Sequence, residues 1–308
     1  MYYYKIYGLI IQSDLVIEEA QAIEPEEAEN RVQVWIENKI LPDKIMGHTE
    51  EEREKGEVNV YVSTPDKAWF RWYGCAGFMV LDGERIEYQL IENADMRTVI
   101  ETILCLALFY ILYQRKIPVI HGSGIMWKGK TFILSGESGS GKSSLAEALL
   151  RDGAKFLADD MVAINDEYMA MPAYPQQKLC QDLITDSMRQ TYLMVELAED
   201  AGKVKMGVRM PERFCDEPQQ LDALFVLRKD EQISEPSIIE ITGSEKVKYV
   251  VNNLYKQDVY TKVGLSPDVF MKCVKLADKV NVFSLSRPAQ GMTVEQQKVL
   301  LEQKLGEI

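Results

Sequence analysis

The chain has 308 residues, of which 46% are apolar and 27% are charged. This length and composition indicate a globular protein with one large or two modest domains, and they exclude a disordered tail or a fibre. The formal net charge of -13 argues against general nucleic-acid binding, because an acidic protein repels a phosphate backbone.

Residues 1–60 carry much of the negative charge, with 14 acidic residues against six Lys or Arg. Two acid-rich runs, Glu24–Glu29 and Glu50–Glu54, contribute most of it. Such runs are typical of a solvated face or loop, and a docking surface for a basic peptide is the alternative.

The metal-binding residue types are scarce. The five cysteines form no CxxC pair, which argues against a disulfide framework and a thiolate zinc site. His48 and His121 are the only histidines, which excludes a multi-histidine metal centre. We therefore expect reduced cysteines and, for any metal, oxygen ligands.

The beginning of the sequence and its most apolar stretch bear on localisation. Met1–Lys5 lacks the basic and apolar regions of a secretory signal, so we expect a cytoplasmic protein. Val99–Tyr113 is apolar but shorter than the roughly 20 residues that span a bilayer. We expect a buried helix there and no membrane association.

Residues 1–93 predict a β-rich N-terminal domain. Apolar patterning indicates strands at 3–11, 32–36, 58–62 and 69–72. Asp82-Gly83 between two further strands predicts a hairpin with a tight turn. A buried connecting helix is expected over 94–116, with Asn93 or Asp95 as its cap and Pro118 beyond its end.

From residue 117 to 308 the pattern becomes α/β. Strands are predicted at 119–120, 125–127, 131–135, 155–158, 224–227, 238–241 and 282–285. Helices are predicted at 143–150, 245–254 and 268–278, with a last helix after Thr293.

The run Gly136–Ser143 matches the phosphate-binding pattern GxxxxGK[ST] between a predicted strand and a predicted helix. Its glycines allow successive N–H groups to face one anion, and the helix adds the positive end of its dipole. We expect Lys142 to reach the β and γ phosphates and the Ser143 hydroxyl to bind Mg²⁺. The expected nucleotide contacts are Gly136, Ser138, Gly139, Ser140, Gly141, Lys142, Ser143 and Ser144. The sequence thus predicts binding of ATP or GTP.

Asp159 and Asp160 follow the predicted strand 155–158. If helix 143–150 makes a right-handed crossover, both strands end at the same edge and the two carboxylates reach the γ-phosphate. One aspartate would then bind Mg²⁺, while the other accepts a proton from an attacking hydroxyl. The alternative is a pair that only caps the end of a strand.

Further candidates are a histidine and three cations. His121 precedes a glycine-rich segment that could lie at the same edge, and a hydrogen-bonded histidine in a turn is the alternative. Lys203, Lys205 and Arg209 are the candidates for stabilising a transferring phosphate, with exposed strand residues as the alternative.

Taken together, His121–Gly124, Gly136–Ser144 and Gly153–Asp160 resemble the catalytic domain of HPr kinase/phosphorylase and its shorter relatives. The segment Pro172–Pro175 also fits, and the resemblance covers roughly residues 117 to 290. It implies a phosphate-loop kinase fold related to phosphoenolpyruvate carboxykinase and transfer of the γ-phosphoryl group of ATP to a serine. It also implies Asp159 as the base, Asp160 as a metal partner, and His121 and Lys142 in the active site.

The resemblance has a limit downstream of the aspartates, where the Glu-x-Arg-Gly segment of HPr kinases is absent. It therefore does not carry HPr as the acceptor, or the reverse reaction, over to this chain. The β-rich half followed by an apolar helix looks more like the short kinases encoded with ribosomally made peptides, such as lasso-peptide kinases. This layout implies a peptide or small protein as the partner.

The leading hypothesis is an ATP- and Mg²⁺-dependent kinase acting on a serine or threonine hydroxyl. The alternatives are a nucleotide-dependent binding module without phosphotransfer, a small-molecule kinase, and HPr kinase/phosphorylase proper. A homo-oligomer is compatible with all of them.

Overall fold

The computed structural model describes residues 1–46, 59–72, 75–197, 204–291 and 293–308. The chain divides into two compact units, Met1–Ile117 and Pro118–Ile308. Both units combine helices with sheets, so the fold class is mixed α/β. The acidic run Glu50–Glu54, His48 and the first residue of the strand predicted at 58–62 lie outside the described residues.

The first unit contains an eight-stranded sheet with the order β3-β1-β2-β4-β8-β7-β6-β5. Its strands are β1 Tyr2–Ile6, β2 Leu9–Ser13, β3 Gln21–Ala22, β4 Val34–Asn38, β5 Asn59–Thr64, β6 Lys67–Trp72, β7 Ala76–Leu81 and β8 Arg85–Leu90. Two short helices, α1 Pro25–Ala28 and α2 Asp43–Met46, connect strands.

Two tight turns in the first unit test the strand predictions. The prediction of one strand over 3–11 was wrong, because Tyr7 and Gly8 adopt φ angles of 53° and 75° and fold the segment into the β1–β2 hairpin. The predicted turn at Asp82-Gly83 is confirmed, with φ angles of 56° and 68° between β7 and β8. Both turns place two consecutive residues in the left-handed region.

The apolar helix α3, Met96–Gln114, has 19 residues and includes one π-helical stretch at Ile103–Ala107. Asp95 caps it by accepting a hydrogen bond from the Arg97 amide at 3.2 Å. Within the described residues it is the one helix long and apolar enough to cross a membrane, so the expectation that it is too short was wrong. However, 61% of the most apolar 18-residue stretch of this helix is buried. The ring centres of Tyr110 in the helix and Phe70 in β6 lie 5.8 Å apart. The helix therefore packs on its own unit's sheet.

The second unit is built on a seven-stranded mixed sheet with the order β11-β9-β10-β18-β20-β19, to which β12 adds by pairing with β9. Its strands are β9 Val119–Trp127, β10 Lys130–Gly136, β11 Lys155–Ala158, β12 Met161–Ala163, β18 Ala223–Asp230, β19 Ser237–Ile241 and β20 Asn281–Pro288. Two small sheets join β13 Met169–Ala170 to β17 Gln219–Gln220, and β14 Gln176–Cys180 to β16 Lys205–Arg209 and β15 Leu193–Glu196. The helices are α4 Lys142–Arg151, α5 Asp186–Thr191, α6 Glu245–Asn252, α7 Gln257–Val263, α8 Pro267–Lys279 and α9 Val294–Glu307.

The sheet corrects two details of the sequence analysis. The segment His121–Gly124 is not a glycine-rich turn but the middle of the continuous strand β9. Strands β10 and β11 are not neighbours, because β9 lies between them and pairs antiparallel with both. This arrangement leaves β10 and β11 parallel to each other, as the crossover prediction required.

Packing of the second unit fixes the start of α4. Phe132 of β10, Phe225 of β18 and Phe283 of β20 are fully or almost fully buried. Phe132 packs edge-to-face on Phe225, which stacks on Phe283. Leu145 and Leu149 of α4 belong to the same buried cluster. The core thus holds the N-terminus of α4 directly after the end of β10.

Candidate active site

One edge of the second unit's sheet collects the polar residues. Strands β10, β18 and β20 are parallel, and their register pairs Gly136 with Leu227 and Lys229 with Arg287. Strand β9 runs the opposite way and brings its N-terminal residues to the same edge, with Gly122 beside Ser135. Ligands of open α/β sheets bind at the carboxyl ends of parallel strands.

The glycine-rich loop Gly136–Ser143, called the phosphate loop after its sequence pattern, joins β10 to α4. Gly136, Gly139 and Gly141 adopt φ angles of 131°, 74° and 110°, which only glycine adopts readily. A Cβ atom at Gly136 would collide with the carbonyl oxygen of Leu227. The loop therefore needs glycine both for its turns and for close packing against β18.

Two positively charged side chains donate hydrogen bonds to carbonyl oxygens of this loop. Lys142 Nζ donates to the carbonyl oxygens of Gly136 and Glu137 at 2.6 and 3.1 Å. Arg287 donates from Nε to Ser140 O at 2.7 Å and from Nη2 to Gly139 O at 3.0 Å. Lys142 was predicted at this site, whereas Arg287 was not, because it lies 147 residues from Ser140 at the end of a strand without a motif.

The hydroxyl of Ser140 is a buried polar group of this loop. The Ser140 side chain is 3% exposed, and its Oγ has no hydrogen-bond partner among the described residues. A buried hydroxyl without a partner is costly, and a phosphate oxygen would satisfy it. The positive end of α4 favours the same ligand charge.

Asp159 is held by two donors from other strands. Ser123 Oγ donates to its Oδ1 at 2.6 Å, and the Lys178 amide donates to its Oδ2 at 2.8 Å. Burial raises the pKa of the Asp159 carboxyl, although both hydrogen bonds oppose this rise. The group is consequently easier to protonate than an exposed aspartate.

Asp160 has the opposite character. It adopts a φ of 70°, an uncommon conformation for a residue with a side chain. Burial alone would raise the pKa of Asp160. Attraction from nearby positive charges, with Lys178 and His121 contributing most, outweighs burial and lowers this pKa. Its carboxylate oxygens lie 3.4 Å from His121 Nδ1 and 3.9 Å from Lys178 Nζ. Asp160 is thus the ionised member of the pair.

The two nitrogen bases of the site are shifted towards neutrality. Burial lowers the pKa of His121, and the nearby Asp160 charge only partly opposes this. Burial also lowers the pKa of Lys142, again against the attraction of Asp160 and Asp159. An anionic ligand placed beside them would favour their charged forms.

A first cleft of 410 Å³ brings the predicted residues together. Its lining includes His121, Ser138, Gly139, Gly141, Lys142, Ser143, Ser144, Asp159 and Asp160, together with Lys178, Lys205 and Arg287. Gly136 and Ser140 line a neighbouring second cleft of 830 Å³, which shares His121, Ser138 and Asp160 with the first. Arg209 lines neither of these clefts, and Lys203 lies outside the described residues.

Lys178 is a further cleft residue that sequence reasoning did not identify. Lys178 lies on β14, shortly after the segment Pro172–Pro175. Its backbone amide donates to Asp159, and its ammonium group lies near Asp160. No local pattern marks it, because its position depends on pairing between β14 and the remote strand β16.

The first cleft contains oxygen donors of the kind that bind Mg²⁺ in nucleotide sites. Across residues 1–46, 59–72, 75–197, 204–291 and 293–308, no group of three or more His, Cys, Asp or Glu could hold a metal by itself. Mg²⁺ in nucleotide sites is instead held by one or two protein oxygens together with phosphates and water. Asp160 and the Ser143 hydroxyl, which line the same cleft, are such a pair.

Comparisons with known proteins add little to this geometry. No family model matches the sequence, and no curated protein matches it. The structure is similar to that of the Hpr(Ser) kinase/phosphatase from Coxiella burnetii, with a TM-score of 0.36 and 12% sequence identity. The match covers 61% of this chain and 91% of that chain. We base no assignment on a likeness of this size.

Proposed function

We propose that the chain is an ATP-dependent kinase that phosphorylates a serine or threonine hydroxyl of a peptide or small protein. The observation that carries the proposal is the convergence of the phosphate loop and both aspartates on one cleft. Phosphoryl transfer needs both a strong anion site and a pair of carboxylates, whereas nucleotide binding without transfer requires only the anion site.

In this proposal the phosphate loop and Lys142 bind the triphosphate. The loop amides and the Ser140 hydroxyl receive phosphate oxygens, and Lys142 exchanges its carbonyl partners for the β and γ phosphates. Ser143 and Asp160 would hold Mg²⁺, which supplies charge neutralisation on the phosphates when it is bound. The lowered pKa of Asp160 suits a residue that must stay anionic.

Asp159 is the proposed general base. The acceptor oxygen forms a bond to the γ-phosphorus, the bond from that phosphorus to the oxygen of the leaving diphosphate breaks, and ADP departs with the electron pair. The proton of the acceptor hydroxyl passes to Asp159, whose raised pKa makes it the better proton acceptor of the two aspartates. Lys178 and Lys205, which line the cleft, counter the charge on the transferring group.

One geometric feature favours a second assignment within the same function. Both carboxylate oxygens of Asp159 already accept hydrogen bonds, from Ser123 and from the Lys178 amide. Under that assignment Asp159 orients its neighbours and Asp160 takes the proton. The two assignments differ in which Asp→Asn variant abolishes transfer.

The test is transfer of label from γ-labelled ATP to serine peptides by the purified chain, with and without Mg²⁺. Asp159→Asn should reduce kcat by about 100- to 10,000-fold and leave binding of a non-hydrolysable ATP analogue unchanged. Full activity in this variant would exclude Asp159 as the base. Because the sequence layout resembles that of peptide-modifying kinases, precursor peptides of ribosomal origin are the first acceptors to offer.

A nucleotide-dependent binding module remains the rival to be separated. It predicts the same gain in melting temperature on addition of an ATP analogue, since ligand binding stabilises the folded state. It also predicts no label on any peptide and no ADP release. Binding without turnover would therefore overturn the kinase proposal and leave the phosphate loop assignment intact.

A further inference from the structure

The second cleft carries an unusual charge for this protein. Arg228 and Lys229 at the end of β18 and Lys256 before α7 line it. None of the three forms an ion pair with any carboxylate of the described part of the chain, and all three are exposed. Two carboxylates, Glu137 and Asp160, line the same cleft, so the three cations exceed them by one and form a local positive patch in a chain with a net charge of -13.

From this cluster we propose that the second cleft binds an acidic segment of the acceptor peptide, rich in Asp or Glu beside the reacting hydroxyl. The inference rests on the proposed kinase function and names the class of its acceptor. It reverses the alternative drawn from the acidic N-terminal runs, which favoured a basic peptide.

The position of the two clefts separates nucleotide from acceptor. Lys142, Ser143 and Asp159 line only the first cleft, whereas Gly136 and Ser140 of the loop line only the second. In the proposal, the β and γ phosphates and the metal lie in the first cleft, and the two clefts meet at the loop. His121 and Asp160 line both clefts and therefore stand where the transferred group would pass. Phosphoryl transfer needs the acceptor and the leaving diphosphate on opposite sides of the γ-phosphorus. In the proposal, the acceptor approaches the γ-phosphorus from the second cleft.

The cations also reach towards the reacting centre. Lys229 Nζ lies 3.5 Å from the position of a Cβ atom at Gly139, and so extends over the phosphate loop. Lys256, with a φ of 55°, contributes to the electrostatic attraction on Asp160. The guanidinium of Arg228 lies 4.9 Å from the centre of the Tyr249 ring, which limits its freedom on the cleft wall.

The size and openness of the cleft fit a polypeptide segment. Its 830 Å³ exceed the 410 Å³ of the first cleft, and amide side chains such as Asn252 and Gln257 extend the lining beyond the cations. Carboxylates placed opposite Arg and Lys at a solvent-exposed rim give specificity and salt-dependent association.

The test measures peptide binding rather than turnover, so that its failure is distinct from failure of the kinase assay. The full chain, saturated with a non-hydrolysable ATP analogue and Mg²⁺, is titrated into fluorescein-labelled peptides of about a dozen residues. The peptides share one central serine and differ only in flanking residues, which are Asp and Glu, Asn and Gln, or Lys. Anisotropy is read at low and at high salt.

We expect the acidic peptide to bind at least about tenfold more tightly than the neutral one, and the difference to shrink at high salt. Arg228→Glu should reduce this preference, while affinity for the ATP analogue stays within about twofold. Lys275→Glu, a charge-matched change at an exposed residue of α8 outside both clefts, should change neither affinity.

Three results would overturn the inference. Equal binding of the acidic and neutral peptides would remove the charge preference, and tighter binding of the Lys-flanked peptide would reverse it. Loss of ATP-analogue affinity in Arg228→Glu would assign the cation cluster to the nucleotide. If the acidic preference holds but no peptide is ever labelled, the cleft assignment stands and the kinase proposal fails.

Discussion

The phosphate loop and the aspartate turn at Asp159 and Asp160 end two strands at the same sheet edge, but they are held in different ways. Lys142 bonds to carbonyl groups five and six residues earlier in the chain. The Asp159 carboxylate instead depends on Ser123 and Lys178, which are 36 and 19 residues away in sequence. The loop is held mainly by its own segment, with Arg287 of β20 as a remote support, whereas the aspartate turn is held by the sheet.

This difference has a chemical consequence. The loop binds through backbone groups whose directions are fixed by glycine φ angles, and the Ser140 hydroxyl is left free of partners within the described residues. The aspartate turn relies on side-chain charges whose pKa values depend on neighbours from several strands. Changes at the loop should therefore mainly affect nucleotide binding and transfer, and changes on β9 or β14 should reach the aspartates.

Among the substitutions that test this contrast, the largest effect is expected at the loop. Lys142→Met removes the ammonium group that donates to the Gly136 and Glu137 carbonyl oxygens, so transfer should fall by about 100- to 1,000-fold. The same assay on Lys155→Met, which removes an exposed lysine of β11, serves as the control. A Lys142→Met enzyme with normal transfer would break the assignment of the loop as the phosphate site.

The sheet-built half can be tested with two glycines of the same strand. A Cβ atom at Gly122 would collide with the Leu134 carbonyl oxygen and lie 2.9 Å from Ile133 Cγ2. At Gly124 the nearest atoms are the Val162 methyl groups at 3.5 Å, an ordinary contact. Gly122→Ala should lower the free energy of unfolding by about 2–3 kcal/mol, and Gly124→Ala should change it by less than about 1 kcal/mol.

Urea denaturation of both variants measures this contrast. Because Gly122 lies between His121 and Ser123, its substitution should also reduce transfer in the fraction that remains folded. Equal stability of the two variants would mean that β9 can shift without cost, and the aspartates would then not depend on its register.

The same contrast explains how far the sequence alone could lead. The loop was predictable because its pattern, its strand and its helix lie in one continuous segment. The parallel direction of β10 and β11 was predictable, but the insertion of β9 between them was not, since His121–Gly124 carries two glycines that suggest a turn. Lys178 and Arg287 had no local signal, because strand pairing and a 147-residue separation bring them to the site.

A smaller effect is expected at Arg287, which links the loop to the sheet. Arg287→Lys keeps the charge but loses the fork that binds Gly139 O and Ser140 O together. The dissociation constant of an ATP analogue should rise by about three- to tenfold, because a looser loop must be ordered on binding. Calorimetry measures it, with Arg151→Lys on the exposed face of α4 as the matched control. An unchanged constant would show that the glycine geometry alone orders the loop.

The smallest effect concerns pH and the charge of Asp160. Its pKa is lowered in the folded state, so its ionised form stabilises the fold above the usual aspartate pKa of about 3.9. This contribution is lost as the pH falls through the folded-state value. Lys178→Met removes the attraction that contributes most to the lowering, and we expect it to reduce the unfolding free energy by about 1 kcal/mol near neutral pH.

Because that attraction exists only while Asp160 is ionised, the difference between Lys178→Met and the unmodified chain should shrink as the pH falls below about 4. Denaturation curves over this range measure it, and Lys178→Arg, which keeps the charge, should follow the unmodified chain. A difference that stays constant with pH would assign the loss to packing of the lysine stem. The aspartate turn would then be shaped by contacts, as the phosphate loop is, and not by charge.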